Sequence, residues 1–225
     1  MRAVPYADAD LVITFFTEQL GRVSVIGRGA RRLKKGASTV LEPMHTLEID
    51  IVDRPRQTLA SLSSSTIAQP RTRLTADLAR LEAAGRALRW VRETLPPRTT
   101  EPEVWTEIES LLDDLDRPVL PGEPRALLAA SGLRLLRALG YGLELDGCVS
   151  CGRPCAPERA ACLDPIRGGL ICQACGGAPL VLNASLRARM LAALRREPPA
   201  WSTPEADLVL GVLDQSLRAH ADLRE

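Results

Sequence analysis

The sequence predicts an α+β protein: a small β-barrel first, then an all-helical domain carrying an inserted four-cysteine module. Three observations predict it. Apolar residues alternate with a period of two through residues 1–65. From Gln69 onward the apolar spacing becomes helical. Between residues 146 and 180 neither period holds, and Gly, Pro and Cys concentrate. The expected domains are therefore 1–68 for the β module and 69–225 for the helical domain, with the insert at 146–180.

The strands come first. Leu11, Ile13 and Phe15 alternate with Val12, Thr14 and Phe16, an apolar run that suits burial on both faces. Val23 and Val25 flank Ser24 before Gly27, and Leu47, Ile49 and Ile51 alternate with Glu48 and Asp50. Leu59 and Leu62 mark a short fourth run, and Gly21, Gly27, Gly29 and Gly36 punctuate turns. Several short strands in so short a stretch favour a barrel, because closure removes exposed edges. Next come helices. Leu74, Leu78, Leu81, Leu88, Val91 and Leu95 follow helical spacing up to Pro96-Pro97. Val104, Ile108, Leu111, Leu112 and Leu115 form a second stripe; Leu127, Leu128, Leu135, Leu136 and Leu139 form a third, closed by Gly140. Beyond the insert, Leu186, Met190, Leu191 and Leu194 resume the pattern. Thr203-Pro204 reads as a cap with proline at the first helical position, ahead of Leu208, Val212, Leu213 and Leu217.

Composition narrows the class. With 225 residues, 45% apolar and 25% charged, the chain is globular. No apolar run is long enough to span a membrane, and the N-terminus lacks an apolar signal core, so a cytoplasmic location is expected. In that reducing compartment six cysteines point to metal or free thiols, not to disulfides. Net charge is only +1, but it is unevenly spread. Arg22, Arg28, Arg31, Arg32, Lys34 and Lys35 form a run with no acid, and the segment from Glu101 to Asp116 holds seven acids and no base. Arginine outnumbers lysine 27 to 2. GC-rich coding accounts for that excess, so it is no argument for phosphate binding.

Cys148-Val-Ser-Cys151 and Cys172-Gln-Ala-Cys175 make a C-x2-C-x20-C-x2-C pattern. Two intervening residues let both sulfurs of a knuckle point at one ion, and two knuckles complete a tetrahedral S₄ site suited to Zn²⁺. Four sulfurs close the site, so the ion is structural. A four-iron cluster also takes four thiolates, but evenly separated knuckles favour zinc. Cys155 and Cys162 are surplus: alternative ligands, or small half-buried residues.

The basic run lies in Gly27–Gly36, after an apolar strand. By charge alone it reads equally as a solvated loop or as a phosphate contact whose affinity falls with salt. A second basic group, Arg187, Arg189, Arg195 and Arg196, either extends such a surface or faces water. Aromatic residues that would stack on bases are few: Tyr6, Phe15 and Phe16 in the β module, the last two expected in its core. The acid run reads as a solvated helix face. No catalytic constellation emerges: His45 and His220 are far apart, and there is neither a P-loop nor G-x-S-x-G.

Three blocks together resemble the RecO family of bacterial recombination mediators. The first is Tyr6-Ala-Asp-Ala-Asp10 through Phe16-Thr17-Glu18-Gln19-Leu20-Gly21-Arg22 to Gly29-Ala30-Arg31-Arg32. The second is Leu136-Arg-Ala-Leu139-Gly140-Tyr141-Gly-Leu-Glu-Leu145. The third joins Cys148-x2-Cys151-Gly152 to Gly168-Gly169-Leu-Ile-Cys172-x2-Cys175. The resemblance implies an N-terminal OB-fold, a helical domain and a zinc module with ligands Cys148, Cys151, Cys172 and Cys175. It implies binding of single- and double-stranded DNA, annealing of complementary strands, and work with RecR and single-stranded-DNA-binding protein to load RecA, at the nucleoid and without enzymatic activity. DNA contact maps best onto Arg22, Arg28, Arg31, Arg32, Lys34 and Lys35. The competing expectation is a zinc-stabilised protein-interaction scaffold with incidental DNA contact. One departure is visible: family members have more residues before the segment Arg2-Ala-Val-Pro-Tyr6. The first strand reads as truncated, so either the true start lies upstream or the barrel closes with a short edge.

Overall fold

A computed structural model of the protein describes residues 2–6, 8–30, 41–53, 59–198 and 201–220. The chain separates into two compact units, Met1–Trp105 and Thr106–Glu225.

Five strands open the first unit: β1 (Arg2–Tyr6), β2 (Asp10–Thr17), β3 (Gly21–Gly27), β4 (Thr46–Val52) and β5 (Ala60–Gln69). Their order is β1-β2-β3-β5-β4, antiparallel throughout except for a parallel step in which Val25 and Ile26 meet Ala60 and Ser61. This five-stranded order with one parallel join is the OB arrangement, a partly open barrel. Among the described residues β1 and β4 do not pair. The register sends Ile13, Val23, Val25 and Ala60 inward, with Leu11, Phe15, Leu41, Ile51 and Leu62 packed around them. Alternate residues Val12, Thr14, Phe16, Arg22, Ser24 and Ile26 face outward. Phe16 is nonetheless half-buried, because its ring lies 5.5 Å from that of Trp105. This is why β2 looks apolar on both faces. Gly21 is required twice over: its φ is +62°, and a Cβ there would sit 1.9 Å from the Thr99 carbonyl oxygen.

The helical pattern is partly corrected. A short turn, α1 (Thr72–Thr75), stops before Asp77, whose carboxylate accepts from the Arg80 N–H and starts α2 (Leu78–Thr94) afresh. The face that α2 buries is Ala83, Ala84, Ala87, Trp90 and Val91, so Leu78 is 72% exposed and not core.

The second unit holds most of α3 (Pro102–Asp116), then α4 (Glu123–Ala138), α5 (Ala184–Leu194) and α6 (Thr203–His220), with α4 packed on both α5 and α6. Val104, Ile108, Leu111, Leu112 and Leu115 are all buried, as their spacing predicts. Gly140, at φ +83°, follows α4 as expected. The cap of α6 lies one residue earlier than Thr203. Glu205 reaches back and accepts from both the N–H and the hydroxyl of Ser202, which is the carboxylate half of a capping box. The insert is a four-stranded sheet of order β6-β8-β7-β9: β6 (Glu144–Cys148), β7 (Ala161–Asp164), β8 (Gly169–Leu170) and β9 (Leu180–Leu182). Among the described residues no helix is long and apolar enough to cross a membrane.

Candidate nucleic-acid interface and metal centre

Of the six basic residues expected to meet DNA, Arg22 and Arg28 are described; Arg31, Arg32, Lys34 and Lys35 lie outside the described residues. Arg22, the second residue of β3, lies on its outer face and is half-buried, and its carbonyl accepts from the Arg98 N–H at 2.9 Å. Among the described residues the buried Arg22 Nε finds no partner. Arg28 lies in the turn just after Gly27, the last residue of β3, and is exposed. The chain leaving β3 is tied to β2 by the Gly29 N–H donating to Asp10 Oδ1 at 2.8 Å. That bond holds the turn containing Arg28 against the start of β2.

The four expected ligands converge. The Sγ atoms of Cys148, Cys151, Cys172 and Cys175 all lie within 4.8 Å of one another. A tetrahedron with metal–sulfur bonds of about 2.3 Å has edges of about 3.8 Å, and Cys151 Sγ stands 3.7 Å from Cys172 Sγ. The donor set therefore fits one zinc ion. Each knuckle is a tight turn ending on a left-handed glycine, Gly152 at φ +71° and Gly176 at φ +101°. The Gly152 N–H donates to the Cys148 carbonyl, and the Cys172 N–H donates to Cys148 Sγ at 3.3 Å. That last bond, foremost among several, lowers the Cys148 thiol to about 6, against the opposing effect of burial. Cys175 is pushed up to about 12, chiefly by hydrogen bonds shared with Cys172 and then Cys151. Cys148 and Cys175 are thus pushed in opposite directions, and of these two negative charge settles first on Cys148. A divalent cation held by these four residues would supply positive charge that favours their thiolate forms.

Neither surplus cysteine belongs to this cluster. Cys162 Sγ accepts from Gln173 Nε2, and Cys155 meets the guanidinium of Arg187. Arg187 is 1% exposed and donates to the carbonyls of Cys155, Ala156 and Arg159. The second basic group is therefore spent within its own unit. Arg187 fastens the module to α5, Arg189 pairs with Glu205, Arg195 with Glu197, and Arg196 with Glu107. The acid run is not wholly a solvated face either. Glu107 is 7% exposed, with its carboxylate between Arg134 Nε at 2.9 Å and Arg196 Nη2 at 2.5 Å. The sequence carried a signal for this, since Glu107 falls on the same helical side as Val104, Ile108 and Leu111.

The architecture and the site define a class: an OB-fold unit followed by a helical unit that carries a closed four-thiol module. Residues 1–71 match the model of the recombination protein O N-terminal domain, and residues 75–224 match that of its C-terminal domain. The chain belongs to the RecO family. A relative named DNA repair protein RecO, from Anaeromyxobacter sp. (strain Fw109-5), is 31% identical across 96% of this chain and 88% of its own length. Proteins of the same name from Geobacter sulfurreducens and Myxococcus xanthus are 32% and 29% identical, over 80% and 88% of this chain and 72% and 82% of their own lengths.

Proposed function

We propose that this protein is a DNA repair and recombination mediator that binds single- and double-stranded DNA through its OB-fold unit and anneals complementary strands. It would do so in concert with RecR and single-stranded-DNA-binding protein, helping RecA onto coated strands at the nucleoid. The observation that carries the reading is the exposed Arg28 in the turn that leaves β3, in an OB-fold unit of a RecO-family chain, with Arg31, Arg32, Lys34 and Lys35 following it in sequence. Annealing needs no active site. A cationic surface screens repulsion between two polyanions while leaving base edges free to pair. In this reading a structural zinc ion on Cys148, Cys151, Cys172 and Cys175 braces the module and takes no part in chemistry.

Annealing of complementary oligonucleotides across a salt series tests this. The wild-type protein accelerates annealing, and its affinity for a single strand falls as salt rises. Replacing Arg28, Arg31 and Arg32 with Glu removes at least three phosphate contacts and reduces the slope of log K against log salt by about 2. Unchanged affinity and slope in that variant would refute the assigned surface.

A further inference from the structure

We infer that Tyr6 is a stacking platform for one unpaired base, placed at the same end of the sheet as Arg28, so that the protein tells a single strand from a duplex. The inference rests on the DNA-binding reading above and gives that face its selectivity. Tyr6 is the last residue of β1 and is 54% exposed, an unusual position for an aromatic ring in a chain whose rings make up only 3% of residues. Its Cα partner across the sheet is Asp10, so the two side chains share one face. That face is the outer one, because the neighbouring Leu11 pairs with the inward Gly27. Asp10 in turn accepts from the Gly29 N–H, which puts Arg28 and the start of the basic run at the same end of the sheet as Tyr6. Val4, 39% exposed, continues the apolar surface along β1.

The occupant follows from this chemistry. An exposed aromatic face within reach of a cation suits a planar base still attached to its phosphate. Strands β1 and β3 are two spacings apart, about 10 Å. A base resting on the Tyr6 ring therefore leaves a phosphate within the sweep of the Arg28 side chain. A paired base keeps its faces inside the duplex stack and has none to offer, so a duplex gains only the Arg28 contact. One ring holds one base. The rest of the strand stays free to pair, as annealing requires.

The test compares the full chain with Tyr6→Ala and Tyr6→Phe, using oligo(dT) and a duplex as probes. Tyr6→Ala is expected to weaken binding of oligo(dT) by about 5- to 150-fold, the range for loss of one aromatic–base stack. Duplex affinity stays unchanged, and Tyr6→Phe retains single-strand affinity. Photocrosslinking with a 5-iododeoxyuridine oligonucleotide should label the peptide containing Tyr6 in the wild-type protein. If Tyr6→Ala binds oligo(dT) as tightly as wild type while the Arg28, Arg31, Arg32 variant does not, the stacking role is overturned and the DNA face stands. If Tyr6→Ala weakens duplex and single strand alike, the selectivity is overturned. If wild-type protein binds neither probe, the underlying reading falls with it.

Discussion

The Glu107→Gln variant puts a magnitude on the interior of the helical unit. The side chains of Glu107 and Arg134 are 8% and 12% exposed, so their pair is screened little by solvent. Gln keeps the volume and one acceptor but removes the charge, which strands the Arg134 guanidinium among buried neighbours. Breaking a buried pair by removing one partner costs about 3–5 kcal/mol. Arg134 would keep its bonds to the Ala193 carbonyl at 3.0 Å and Ser131 Oγ at 2.9 Å, which places the loss at the lower end, about 3 kcal/mol. Arg196 is 52% exposed and regains water when its partner goes, so it adds at most about 1 kcal/mol. Urea unfolding with a slope of about 1–3 kcal/mol per molar then shows a midpoint lowered by about 1 M or more. Replacing the pair together, Glu107→Leu with Arg134→Met, should restore much of the loss, because no orphan charge remains. A midpoint unmoved in Glu107→Gln, or a double variant weaker than the single one, would refute the reasoning.

Two further outcomes are expected. Cys172→Ser removes one sulfur and the electronic set-up of the knuckle. Metal analysis should find less than one equivalent of zinc, and limited proteolysis should cut within 146–180; a full equivalent of zinc in that variant means that the ligand set is wrong. Glu205 is held below the usual carboxylate range, first by the Ser202 N–H and hydroxyl and then by Arg189. Because its folded value is depressed, its contribution is complete above the unfolded value of about 4.3 and vanishes as pH falls through the folded one. Glu205→Gln should therefore lower Tm at neutral pH, by a capping effect of about 1 kcal/mol, with the gap to wild type closing in acid; a gap that widens in acid contradicts the capping box.

Much of this was legible because burial leaves a period. The inward residues of β3 read directly from alternation and the stripe of α3 from its spacing, whereas in β2 apolar residues fill both faces. The cysteines were legible because metal geometry constrains sequence separation within each knuckle. The second half of β5 was not, since Ser63, Ser64, Ser65 and Thr66 show no apolar alternation and extend the strand only by pairing with β4. The α2 face was misread because Ala83, Ala84 and Ala87 make the contact, and alanine is too common to mark a face. The strands of the insert are two to five residues long, below the length at which a period can declare itself. The fate of the arginines on and just after α5 depended on partners distant in sequence, such as Cys155 and Glu107, which spacing along one helix does not reveal.

The small sheet has a consequence of its own. Its two outermost strands, β6 and β9, are also its two attachments, one leading in from α4 and the other leading out to α5. Its width of three strand spacings, about 14 Å, therefore works as a calliper on where those two helices begin and end relative to one another. Releasing the ion would loosen the jaws, and a spectroscopic ruler placed across the end of α4 and the start of α5 would register the metal's departure without ever touching a sulfur.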